Sequence, residues 1–156
     1  MFRGFATISY FADDMTAAEA WYTDLLGTPP YFRRDHRDDN GNDNGDGQGG
    51  APAYLEYRIG DYQAELGLID ARFAPHDVKN GPAGVIMNWH VDDLPATLDR
   101  LTAMGATQLE GITPRGEGFV TASVTDPFGN IIGIMTNPHY LDVLASGGRP
   151  HDAENS

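Results

Sequence analysis

The sequence predicts an α+β fold built from two tandem βαβββ modules, and three observations carry that expectation. A β-branched and aromatic run, Ala6 to Phe11, stops at a double aspartate and leads into a stretch with helical spacing. The same succession returns at Val85 to Val91, Asp92–Asp93 and Leu94. Each helical stretch then leads to a hairpin whose second strand sets a glycine, Gly67 or Gly133, among apolar residues.

The elements follow in order. Met15, Ala18, Trp21, Tyr22, Leu25 and Leu26 share one helical face; Thr16 or the preceding aspartates supply its N-cap, and Gly27 sits where a C-terminal glycine belongs. Tyr31–Arg34 reads as a short strand, and Tyr54–Ile59 with Glu65–Ile69 as a hairpin turning at Gly60-Asp61. In the second half, Leu94, Leu98, Leu101 and Met104 form the stripe and Gly105 closes it. Thr107–Glu110 is the short strand, and Phe119–Val124 with Ile131–Met135 the hairpin. His139–Ala145 suits one or two helical turns against the last sheet, with Tyr140 and Leu144 suited to a dimer contact. The expected modules are residues 5–70 and 84–137, followed by a tail, 138–156.

Composition narrows the partners. The 156 residues carry 23 Asp+Glu against 10 Lys+Arg, a formal charge of −13, and Lys79 is the sole lysine. Such a chain repels phosphate backbones and anionic lipid, so neither nucleic acid nor membrane is an expected partner. The absence of cysteine removes disulfides, thiol catalysis and thiolate metal sites. No apolar run approaches the roughly 20 residues that span a bilayer, and the start lacks a secretory pattern, so a cytoplasmic protein is expected. Residues 35–50 hold five aspartates, three asparagines and five glycines and read as a solvated loop. Asn40, Asn42, Asn44 and Gly45 imitate the start of a calcium loop, but the twelfth position is Ala51 where a glutamate is required.

With Trp21-Tyr22-x-x-Leu25-Leu26-Gly27 and Asp126-Pro127-Phe128-Gly129-Asn130 set in two βαβββ units, the chain resembles the vicinal oxygen chelate superfamily. That group includes glyoxalase I, extradiol dioxygenases and bleomycin- and fosfomycin-resistance proteins. The resemblance spans roughly residues 5–140 and implies a cup of curved mixed sheet, completed by pairing of halves within or between subunits. It also implies one metal held by four side chains, a His or Gln on the first strand of each half and a Glu on the last. Transferred residue by residue, those positions are Thr7, Ile86, Gly133 and either Gly67 or, with a shorter hairpin, Glu65. At most one ligand remains, so no metal and no cofactor are expected; a relocated site at His90 and Asn88 is the alternative.

Strand alternation assigns the cup lining. From the first module come Thr7, Ser9 and Phe11, then Tyr54, Glu56 and Arg58, with Glu65 on the last strand. From the second come Asn88 and His90, Phe119 and Thr121, and Met135. Buried charge needs a partner, so Arg58 is expected to pair with a glutamate. Three functions remain open. One is a homodimeric, metal-independent binder of a small aromatic or cationic molecule, like the bleomycin-resistance branch, with antibiotic resistance as the role. Another is a glyoxalase- or dioxygenase-type enzyme, metal-free with Glu65, Glu56 or His90 as general base, or with a relocated metal. The third is a structural or regulatory dimer.

Overall fold

The computed structural model describes residues 6–36, 51–74 and 86–147. Most of the acidic loop, with the calcium-like asparagines, the start of the expected strand at Val85 and the end of the tail lie outside the described residues. The chain divides into two compact units: Met1–Gly81 with Phe128–Asn130, and Pro82–Pro127 with Ile131–Ser156. No helix among the described residues is long and apolar enough to cross a membrane.

The first unit contains β1 (Thr7–Ala12), α1 (Met15–Leu26), β2 (Phe32–Asp35), β3 (Pro52–Ile59) and β4 (Ala64–Asp70). They form one mixed sheet, β1-β4-β3-β2, in which β1 runs parallel to β4 and the other pairs are antiparallel. The parallel pair needs a crossover, and α1 opens it. The choice of N-cap falls on Asp14, whose side chain accepts from the Ala17 N–H at 2.9 Å. Gly27 ends the helix at φ 67, a left-handed conformation that strains any residue with a Cβ. Tyr10, Ala12, Leu55, Tyr57, Leu66 and Leu68 are buried on the sheet face that α1 covers with Met15, Ala18 and Tyr22. Tyr57 carries its hydroxyl into that core, 3.2 Å from Thr23 Oγ1, so its polar end is satisfied.

Two further features stabilise this unit. β1 lies at the sheet edge, and Asn130 serves as its missing neighbour: its Oδ1 accepts from the Phe11 N–H at 3.1 Å and its Nδ2 donates to the Phe11 carbonyl at 3.0 Å. Phe128 joins Trp21 and Tyr22 at ring distances of 6.2 and 6.4 Å. At the far end of β4, buried Asp70 accepts from the Arg72 backbone N–H at 2.9 Å and its Nη2 at 2.7 Å. These bonds hold the Asp70 carboxyl below the usual carboxylate range against the opposing cost of its burial.

The second unit repeats the plan with β5 (Asn88–His90), α2 (Leu94–Ala103), β6 (Thr107–Gly116), β7 (Phe119–Thr125), β8 (Ile131–Thr136) and α3 (Pro138–Ala145). The sheet order β5-β8-β7-β6 matches that of the first unit. Its core is Leu94, Leu98 and Leu101 of α2 with Ala122, Val124, Ile132 and Ile134 of the sheet. β5 is shorter than the run of apolar residues suggests, although Gly133 N–H donates to the Met87 carbonyl and Val91 N–H to the Met135 carbonyl just beyond its ends. β6 runs six residues past the expected Glu110 and shifts register three times, which bends it along β7.

Candidate functional site

In each unit the sheet face turned away from the buried helix carries the polar and aromatic side chains. On the first sheet, register sets Thr7 opposite Glu65, Ser9 opposite Gly67 and Phe11 opposite Ile69. The next strand adds Tyr54, Glu56 and Arg58 opposite Ile69, Gly67 and Glu65, and β2 sets Phe32 beside Glu56. The seven residues expected here therefore share one face, as period-two alternation requires.

Five of them form one connected cluster. Thr7 Oγ1 donates to Glu65 Oε2 at 2.7 Å, and Arg58 Nη1 pairs with Glu65 Oε1 at 2.6 Å. The Thr7 hydroxyl first, and the Arg58 charge after it, hold Glu65 below the usual carboxylate range, which makes it a poor proton acceptor. Glu56 lies beside Glu65 but pairs with no cation among the described residues; its neighbours are the hydroxyls of Tyr31 and Tyr54. The Tyr31 hydroxyl donates to Glu65 Oε1 at 3.5 Å, and its phenol is pushed up to about 12, chiefly by the neighbouring Glu56 carboxylate. That of Tyr54 is pushed up to about 12 by burial, then by Glu56. Ser9 and Phe11 flank this cluster without joining it.

Tyr31 and Phe32 escape sequence reasoning. Tyr31 lies against the Arg58 guanidinium, 4.8 Å from the ring centre, and Phe32 packs on Tyr54 at 6.0 Å. Two such residues beside a Pro-Pro pair read as an ordinary short strand; only their pairing with Glu56 puts them at the cluster.

On the second sheet, Asn88 lies opposite Gly133, and His90 opposite Met135, which in turn faces Thr121 on β7. Phe119 lies two residues further along the same face of β7. Asn137 N–H donates to His90 Nδ1 at 3.1 Å, and Tyr140 of α3 stacks on the imidazole at 4.8 Å and 17°. Arg115 and Glu110, absent from the expected site, join this face: Arg115 Nε donates to Thr121 Oγ1 at 2.9 Å and Nη2 to Glu110 at 2.7 Å. The signal for them is weak, because bulges in β6 decide which face they reach.

The positions implied to hold a metal can now be compared. Ser9–Gly67 and Asn88–Gly133 are equivalent pairs in the two sheets, so Gly67, and not Glu65, repeats Gly133. A Cβ at Gly133 would lie 2.4 Å from Asn88 Oδ1 and 2.8 Å from the Met87 carbonyl oxygen. At Gly67 it would lie 3.2 Å from the Tyr54 ring. Side chains of neighbouring strands thus occupy the room a ligating glutamate would need. Among the described residues, no group of three or more His, Cys, Asp or Glu side chains is placed to hold a metal ion.

Two repeated βαβββ units, each a mixed sheet with one buried helix and one polar face, define the fold class. The family model for the Glyoxalase/Bleomycin resistance protein/Dioxygenase superfamily matches residues 4–134, and the chain belongs to that family. Among solved structures, a glyoxalase-related enzyme from Fulvimarina pelagi is similar at 20% identity and TM-score 0.64, over 88% of this chain and 90% of that one. A lactoylglutathione lyase from Agrobacterium tumefaciens is similar at 19% identity and TM-score 0.54, over 86% and 94%. TioX from Micromonospora sp. ML1 is similar at 14% identity and TM-score 0.54, over 85% and 98%. These likenesses establish the fold. No curated protein matches the chain.

Proposed function

We propose that the chain is a metal-independent binder of a small cationic aromatic molecule, held on the polar face of the first sheet. The observation that carries the reading is Glu56, a carboxylate that strand register sets beside Phe32 and Tyr54 and that pairs with no cation among the described residues. Aromatic faces with a carboxylate between them attract an ammonium or guanidinium through both charge and ring quadrupole. The chain's net charge of −13 favours approach of the same class of ligand. Supporting the metal-free part, the family's positions offer Thr7, Ile86, Gly67 and Gly133, a donor set that does not fit a divalent ion. Sequestration of a toxic compound, as a cytoplasmic homodimer, is the role this chemistry suits.

The test is calorimetric titration with a panel of cationic aromatic antibiotics, beside elemental analysis of the purified protein. Binding of at least one member, weakened about tenfold or more by Glu56→Gln, is the expected result. No heat with any member would sink the proposal, and so would one equivalent of a tightly held transition metal. An enzymatic reading finds less support: of the three candidate bases, Glu65 is ion-paired and His90 Nδ1 already accepts a hydrogen bond, which leaves Glu56.

A further inference from the structure

The second sheet carries chemistry that the cation reading does not use. His90 is held by α3 from two directions. Asn137 caps that helix, its Oδ1 accepting from the Tyr140 N–H at 3.0 Å, while its own backbone N–H donates to His90 Nδ1 at 3.1 Å. Tyr140, one turn into the helix, lies flat on the imidazole. A ring nitrogen that accepts from a backbone N–H keeps its lone pair, so the imidazole proton sits on Nε2 and His90 is a neutral donor. Among the described residues nothing accepts from that Nε2–H.

Its neighbours on the sheet have the same polarity. Thr121 shares the row with His90, Met135 lying between them. Arg115 already donates to Thr121 Oγ1, so the Thr121 proton is left to point at an acceptor. Glu110, the nearby carboxylate, is occupied by both contacts from Arg115 Nη2. In the adjoining row Ser123 is 2% exposed and its hydroxyl has no hydrogen-bond partner among the described residues. Buried hydroxyls are ordinarily satisfied, so Ser123, closed off beneath this face, adds one more donor without an acceptor in this part of the sheet.

We propose that this face binds a planar aromatic molecule carrying oxygen acceptors at opposite ends, with His90 Nε2–H bonding one oxygen and the Thr121 hydroxyl the other. Two strand spacings of about 4.8 Å separate the two backbones, enough for a single ring with an oxygen substituent at each end to lie across the strand between them. Met135 between them offers a thioether to the ring, and Phe119 an apolar wall. α3 is part of this site because its capping residue selects the donor tautomer. The inference concerns the second unit alone and does not depend on cation binding by the first sheet.

The probe is 4-hydroxybenzamide, uncharged and with an oxygen at each end of the ring, added to the full chain labelled with ¹⁵N. In the free protein, long-range ¹H–¹⁵N spectra are expected to show Nε2 of His90 as the protonated nitrogen and Nδ1 as the bare one. Addition of the probe is expected to move the Nε2–H resonance saturably. His90→Phe, which keeps the stacking on Tyr140 but loses the donor, weakens binding about tenfold or more; His90→Gln, which restores an N–H at similar reach, recovers part of that loss. The opposite tautomer in the native protein overturns the proposal, as does an Nε2–H that does not respond to the probe. Equal affinity of His90→Phe and the native chain overturns it too. Should His90→Phe fail to fold, the response of the native Nε2–H decides.

Discussion

Gly133→Ala tests how tightly the second sheet has closed over the position where the family resemblance implies a ligand. The substitution adds one carbon, which in the native backbone would lie 2.4 Å from Asn88 Oδ1, 2.7 Å from Ile86 Cγ2 and 2.8 Å from the Met87 carbonyl oxygen. Ordinary contacts begin near 3.5 Å, so all three neighbours must move. Asn88 can swing aside. The Met87 carbonyl cannot do so cheaply, because it belongs to the backbone and accepts from the Gly133 N–H at 3.0 Å. Overpacking of this kind costs about 1–3 kcal/mol. Weakening that hydrogen bond adds about 1 kcal/mol. A stiffer unfolded chain returns about 0.4–1 kcal/mol, leaving a net loss of about 1–3.5 kcal/mol, centred near 2 kcal/mol. With a urea slope of about 2 kcal/mol/M, the denaturation midpoint falls by roughly 1 M. Gly67→Ala is the internal control. Its nearest atoms, at 3.2 Å, are the tip of the Tyr54 side chain, which can give way, and its net effect stays within about 1 kcal/mol. Urea denaturation of the two variants beside the native protein compares them directly. A Gly133→Ala protein of native stability, or a costlier Gly67→Ala, would refute the steric reasoning.

Three other outcomes are expected. Glu56→Gln should bring the ionisation of Tyr31 and Tyr54 from about 12 towards 10.0, read from phenolate absorbance during alkaline titration. Because folding raises these phenols, the stability they contribute is present below pH 10 and is lost as pH rises through their folded values; unchanged titration in Glu56→Gln would remove Glu56 as the cause. Asp70→Asn should cost about 2 kcal/mol, the value of hydrogen bonds to a charged group. Asp70 is lowered by folding, so its contribution is full above its unfolded value and fades as pH falls through the folded one; the variant's stability should accordingly fall less steeply in acid, followed by thermal unfolding at a series of pH values. Asn130→Ala removes both bonds to the Phe11 backbone and should cost about 2 kcal/mol, with faster hydrogen exchange at the Phe11 N–H as its local signature.

The repeated pattern of strand, double aspartate, helix and hairpin was readable because it is made of local signals. Asp14 and Asp93 cap their helices from within the chain, each accepting at 2.9 Å from an N–H three residues on. Alternation likewise assigned the faces correctly, since Leu55, Tyr57, Ala122 and Val124 are buried and Thr7, Tyr54 and Glu56 turn the other way. Tyr31, Phe32, Glu110 and Arg115 were not readable, because β2 and β6 have irregular or short ladders whose register comes from the partner strand. The pairing of Arg58 with a glutamate was expected from burial cost alone, but the choice of Glu65 over Glu56 was not.

Local periodicity and capping, then, determined two βαβββ modules, their helices and the side chains on each sheet face, because those properties depend on residues within a few positions of one another. Tertiary structure alone decided between Gly67 and Glu65 as the counterpart of Gly133, that Asn88 and Tyr54 fill the space beside those glycines, and that α3 fixes the proton of His90. Each of these is a contact between strands or between a strand and a distant helix, set by register and packing, and no spacing along the chain encodes it.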